Sequence, residues 1–188
     1  KNKATQDVSA YFVSAYAVFK TKLTPITLGA ELASGTAFDA ANDVDNSWNP
    51  LYGTNHKFYG YMDYFYVGNF HGQAAGRPSG LIDINVKTNF KVNDRNTIAV
   101  HVHQFLSPVT VSDKLNTQNT LSSNLGTEID LVYGLLLSKG VKLNVGYSQM
   151  FISDSMKHIK GVAAETTGIN NWAWVQLKFN GDLFTFKK

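Results

Sequence analysis

The stretch Leu81-Ile82-Asp83-Ile84-Asn85-Val86-Lys87-Thr88-Asn89-Phe90-Lys91-Val92 decides the fold of this chain. Its even positions, Ile82, Ile84, Val86, Thr88, Phe90 and Val92, are apolar apart from one hydroxyl. Its odd positions, Asp83, Asn85, Lys87, Asn89 and Lys91, are all polar. Successive side chains leave a strand on opposite sides, whereas a helix would mix the two sets around its circumference. The stretch is therefore a long strand with one apolar and one polar face.

The same period recurs on both sides of it. Ile26, Leu28, Ala30 and Leu32 alternate with Thr27, Gly29, Glu31 and Ala33, and Ile98, Val100 and Val102 with Ala99, His101 and His103. Ile129, Leu131, Tyr133, Leu135 and Leu137 face away from Glu128 and Asp130. Val141, Leu143, Val145 and Tyr147 alternate with Lys142, Asn144, Gly146 and Ser148. Ala173, Val175, Leu177 and Phe179 alternate with Trp172, Trp174, Gln176 and Lys178. An earlier strand near Val8–Lys20 has Tyr11, Val13, Ala15, Ala17 and Phe19 as its cleaner apolar set. Strands in soluble domains average about 5–6 residues, and a tilted membrane-crossing strand needs about 9–11. These runs are of the longer kind. The expected fold is all-β, a transmembrane antiparallel β-barrel with apolar residues toward lipid and charged residues toward a wet lumen. A soluble β-sandwich or lipocalin-like barrel would point the same apolar set inward. Alternation alone does not separate the two, so strand length and loop asymmetry carry the choice.

Composition agrees. The chain has 188 residues, with 17 Lys+Arg against 14 Asp+Glu, a net charge of +3 and only 16% charged residues, without the clustered basic residues of a nucleic-acid protein. Aromatics reach 13%. No apolar run approaches the roughly 18 residues of a membrane-spanning helix, and a mean hydropathy of −0.16 suits strands that are apolar at every second position. There are no cysteines, so disulfide scaffolds, thiol catalysis and Cys-ligated zinc are excluded. The opening Lys1-Asn2-Lys3-Ala4-Thr5-Gln6-Asp7 holds no signal-peptide apolar region, so the chain is expected to be a mature form or part of a longer gene product.

The connections alternate in length. Segments 20–25, 92–96 and 138–140 are short, whereas 106–124 and 153–168 are long. Bacterial barrels keep short turns on the periplasmic side and long loops outside. For this parity to hold, residues 35–80 must form one extracellular excursion without a net crossing. His56–Val67 is then a short helix or packed loop folded into the mouth, and not a strand. Seven spanning strands remain, or eight if one is miscounted. Seven is odd and below the eight of the smallest bacterial barrels, so further strands are expected N-terminal to Lys1.

The stretch Leu51-Tyr52-Gly53-Thr54-Asn55-His56-Lys57-Phe58-Tyr59-Gly60-Tyr61-Met62-Asp63 resembles a segment of the alginate export family of outer-membrane porins. Glu31-Leu32-Ala33-Ser34-Gly35, Leu125-Gly126-Thr127-Glu128-Ile129-Asp130 and Gly146-Tyr147-Ser148-Gln149-Met150-Phe151 are similar to that family too. The resemblance covers nearly the whole chain but only the family's C-terminal part. It implies an eighteen-stranded barrel that passes an anionic polysaccharide or other small solutes. The family's alginate exporter has a strongly basic lumen. Here Lys87, Lys91, Lys142 and Lys178 mix with Glu31, Asp83, Glu128 and Asp130, which favours a general porin.

The expected pore-lining residues are Glu31, Asp83, Asn85, Lys87, His101, His103, Glu128, Asp130, Lys142 and Lys178, with His56, Lys57, Tyr61 and Asp63 in the constricting excursion. His101 and His103 project to one face and could bind a metal, but the sequence places no third ligand, so they are read as lumen residues and no metal or other cofactor is expected. Glu128 and Asp130 have roots about 7 Å apart and point the same way, whereas a glycosidase pair flanks its substrate. His56 and Asp63 are read as holding the excursion in place. No Gly-x-Ser-x-Gly elbow, phosphate loop or His-Glu-x-x-His occurs, so no enzyme is expected. Trp172, Trp174, Phe184 and Phe186 read as interface aromatics or as the aromatic C-terminal signature of exported barrels, and a plain packing role explains the two tryptophans equally well. The expected function is passive passage of polar or anionic solutes, or polysaccharide, across the bacterial outer membrane, with lipid and other envelope subunits as partners and no nucleic acid. The alternatives are a non-conducting barrel subunit of an envelope complex and a soluble ligand-binding barrel.

Overall fold

The structure, a computed structural model, describes residues 7–37, 39–50, 56, 58–65, 78–113, 119–161 and 170–181. Seven long strands form one antiparallel sheet: β1 (Phe12–Phe19), β2 (Ile26–Ala33), β3 (Leu81–Lys91), β4 (Asn96–Leu106), β5 (Asn124–Ser138), β6 (Val141–Ile152) and β7 (Asn170–Phe179). Each strand pairs with its neighbours in the chain, so the sheet is an up-and-down meander from β1 to β7. The sheet is open, and β1 and β7 are its two edges. Two-residue pairs flank it, Asp7–Val8 with Val44–Asp45 and Val111–Ser112 with Thr120–Leu121.

Antiparallel order puts the short connections 20–25, 92–95 and 139–140 at one end of the sheet and the long ones at the other. His56 and Phe58–Phe65 contribute no strand to the sheet. They are not helical either, because His56, Tyr59, Gly60 and Asp63 have φ between 55° and 82°, in the left-handed region that interrupts a right-handed helix. This part of the excursion is a looped chain. Within the long connection 153–168 lies a short helix that the alternation gave no hint of, α1 (Asp154–Lys160). The Ser153 hydroxyl caps its N-terminus by accepting from the Met156 N–H, and Lys157, His158 and Lys160 sit in its last turn where the helix dipole favours cations.

The sheet has one apolar and one polar face. Cross-strand register gathers Leu28, Val86, Val102, Ile129 and Tyr147 with their neighbours on the apolar face, where Ile84 is 51% exposed and Val175 72% among the described residues. The chain covers the polar face instead. Its small apolar core sits at the long-loop end on that side, where Leu81, Phe105, Leu125 and Met150 from strand ends meet Phe65, Val111, Met156 and Ile159 from the connections.

Candidate functional site

Pairing across the sheet turns the alternation of single strands into one polar stripe. Glu31 faces Asp83, Asn85 faces His103, Lys87 faces His101, and Lys142 faces Lys178. His103 also stands opposite Glu128, and His101 opposite Asp130, which itself faces Ser148. All ten residues read as lining a lumen therefore share a face.

That face differs from the open wet wall expected. Asp83, Asn85, His103 and Asp130 are each 1% exposed and Glu128 0%, while Lys87, His101 and Lys142 are half-buried and Lys178 is exposed. Burial is greatest toward the long-loop end. The cause is the excursion, which folds back across β3 to β7 and excludes solvent from the carboxylates.

The looped segment is held at many points. His56 donates its backbone N–H to Asp63 Oδ1 (2.8 Å), and its imidazole Nδ1 lies 2.9 Å from Asp63 Oδ2, so these two close the loop on itself. The His56 ring stacks on Trp172 at 4.5 Å, and Tyr61 lies between His101 (5.8 Å) and Trp174 (6.0 Å). The Met62 N–H donates to Glu128 Oε1 at 2.9 Å, and Phe65 packs on Phe105 at 4.5 Å. Tyr64 donates its hydroxyl to Asn170 and accepts from Lys160 at its carbonyl. Gly60 lies so close to the sheet that a Cβ there would stand 2.4 Å from Glu128 Oε1, and its φ of +82° suits glycine. Burial raises the pKa of the Tyr59, Tyr61 and Tyr64 phenols, and nearby carboxylates add to the effect, so all three stay neutral. Of the residues expected in a constriction, His56, Tyr61 and Asp63 are in this cover, and Lys57 lies outside the described residues.

Beneath the cover the polar groups bond to one another. The Asp83 carboxylate is 2.9 Å from His103 Nδ1 and accepts from Asn85 Nδ2 at 3.0 Å. Ser148 Oγ donates to Asp130 Oδ1 at 2.5 Å, and Tyr16 donates to Glu31. Asp130 Oδ2 and Glu128 Oε2 are buried with no hydrogen-bond partner among the described residues.

Toward the short-turn end the stripe opens into a cavity of about 640 Å³, walled by Asn89, Lys142, Asn144, Gln176 and Lys178 and roofed by His56, Tyr61, Trp172 and Trp174. The two tryptophans belong to this polar face and to the cover's seat, in the packing role that was one of their readings. Their parity with Gln176 and Lys178 already carried that signal. Gly146 leaves the space in which the Trp174 indole lies, since a Cβ there would stand 2.2 Å from the ring. Phe184 and Phe186 lie outside the described residues. Ser148, like Gly60, Asn89, Asn144 and Gln176, belongs to the site without having been expected there. It is a small hydroxyl on the polar side of β6, and nothing local marks it as the partner of Asp130.

Comparison with protein-family models, curated proteins and solved structures finds no match. The site therefore rests on its own chemistry.

Proposed function

We propose that this chain forms part of an outer-membrane β-barrel channel that passes polar or anionic solutes passively, narrowed from within by the 56–65 cover. The observation that carries the reading is the inversion of the sheet. Apolar side chains stand bare on one face, while carboxylates, imidazoles and amides are enclosed on the other. In water a bare apolar face of this size is an aggregation hazard, and in lipid it is the required surface. The two edges β1 and β7, unpaired with each other among the described residues, have to be covered in this reading, because lipid tolerates no unpaired strand edge. The resemblance to the alginate export family supplies the number eighteen. The cavity below the cover, with Lys142 and Lys178 beside Trp172 and Trp174, offers cations for an anionic solute.

Single-channel recording of the whole protein in planar bilayers tests this. Wild type should conduct, and deletion of residues 48–77 should leave an inserted barrel with larger conductance and a larger solute cut-off. Insertion without conductance in both proteins would overturn the channel reading and favour a non-conducting envelope subunit. That second reading has its own observation, the complete burial of Asp83, Glu128 and Asp130 under the cover.

A further inference from the structure

We propose that His101, His103 and Asp130 form a zinc site on the polar face of the sheet, beneath the cover. This inference stands on the cluster's own geometry and not on the channel reading.

The sequence offered two imidazoles on one side of β4, and the fold brings the third ligand. Register sets Asp130 of β5 directly opposite His101, and a diagonal step brings it to His103. One ligand atom from each of the three residues lies within 4.8 Å of the others, with His103 Nε2 4.0 Å from Asp130 Oδ2. Tetrahedral zinc with bonds of 2.0–2.2 Å needs ligand atoms about 3.3 Å apart, so rotations of about an ångström close the set.

Three observations aim the cluster at a cation. First, His103 Nδ1 faces Asp83 at 2.9 Å. A proton shared there leaves the Nε2 lone pair pointing toward Asp130, which is the carboxylate–histidine arrangement that orients metal ligands. Second, Ser148 occupies Asp130 Oδ1, while Oδ2 is buried without a partner on a residue that is 1% exposed. A buried carboxylate oxygen without a partner costs free energy that a cation recovers. Third, a small cavity of about 50 Å³ adjoins all three ligands, with Gly60, Tyr61 and Lys87 in its wall. It has room for an ion and one water, the fourth ligand of an open zinc site. Lys87 repels the ion, but it is half-exposed, and the buried Asp83 and Asp130 lie on the other side of the balance. Two imidazoles and one carboxylate suit Zn²⁺. Ca²⁺ and Mg²⁺ would require an oxygen-rich set that this site lacks.

The test uses the whole protein, purified without a polyhistidine tag and dialysed against Zn²⁺ at fixed free concentrations. Wild type should bind one Zn²⁺ per chain, and zinc X-ray absorption should show two imidazoles with oxygen ligands at about 2.0–2.2 Å. The double variant His101→Ala/Asp130→Ala should lose at least 100-fold in affinity, and Asp83→Asn should lose about 10- to 100-fold through His103 alone. His158→Ala, in a separate pair with Asp113, should bind as wild type does. Absence of stoichiometric zinc from wild type overturns the site, as does full retention in the double variant. If the variants fail to insert, the wild-type absorption spectrum decides, and a zinc shell without imidazole overturns the proposal.

Discussion

Gly60→Ala tests how closely the cover is fitted to the sheet. Two costs follow from the geometry. The φ of +82° places the new side chain in the left-handed region, at about 1–2 kcal/mol for an L residue. The new Cβ would also lie 2.4, 2.5 and 2.7 Å from Oε1, Cδ and Oε2 of Glu128, which is fully buried and has little room to retreat. Relief requires a shift of about an ångström that breaks the Met62 N–H bond to the Glu128 carboxyl group and leaves buried polar groups unsatisfied, at about 1–3 kcal/mol. Together the docked cover should lose about 3–4 kcal/mol. At 1.4 kcal/mol per decade, its opening equilibrium should rise by about two orders of magnitude. Hydrogen exchange of the amides in 58–65, read by mass spectrometry on protein in micelles, measures that equilibrium directly. Glu128→Ala in the same background removes the collision but leaves the backbone cost, so the pair should show a coupling of about 1–2 kcal/mol. Protection in Gly60→Ala within threefold of wild type would refute the close approach and the argument built on it.

On the proposed membrane reading, Arg in place of Val86 should cost about 2–4 kcal/mol of stability on refolding into lipid, and a cost below 1 kcal/mol would argue against a lipid-facing Val86. Single cysteines at Asn144 and Lys178 should react with water-soluble thiol reagents, those at Asp83 and Glu128 should be protected until the cover is removed, and one at Val175 should meet a lipid-borne quencher. Equal labelling at Val175 and Lys178 would invert the assigned faces. Burial lowers the Lys160 pKa from 10.5 to about 8, so the folded state releases this proton before the unfolded chain does. Stability of the α1–cover contact should therefore rise with pH between about 8 and 10, seen as a difference in exchange protection between wild type and Lys160→Met, and an unchanged difference across that window would contradict it.

The seven strands were legible because alternation is a local property of each run, and Leu81–Val92 needs no partner to declare its two faces. Connection lengths then kept His56 and Phe58–Phe65 out of the sheet, although their aromatics have strong strand propensity. Less legible was what the excursion does once it leaves the sheet. The left-handed residues His56, Tyr59 and Asp63 carry no turn signature of the Asn-Gly kind, and α1 is a seven-residue helix with only Ser153 and Gly161 to mark its ends. The site split the same way. Parity placed Asp83, His103, Glu128 and Asp130 on one side of their strands, but their burial depends on a segment more than sixty residues from Glu128, and the approach of Asp130 to His103 depends on register between strands. Single-strand patterns contain neither.

An up-and-down meander is modular: hairpins can be added or lost, and each remaining strand still meets a neighbour it can accept. The cover breaks that freedom. It leaves the chain between β2 and β3, yet it touches His101 and Phe105 on β4, Glu128 on β5 and Trp172 on β7. It thereby measures the number of strands between its root and its farthest anchor. Inserting or removing one hairpin in that interval would displace Trp172 by two strand spacings, nearly 10 Å, from the His56 ring that stacks on it. Sheets descended from this one can therefore gain or lose strands freely outside the interval from β3 to β7, but within it the count of strands is locked to the length of a single loop.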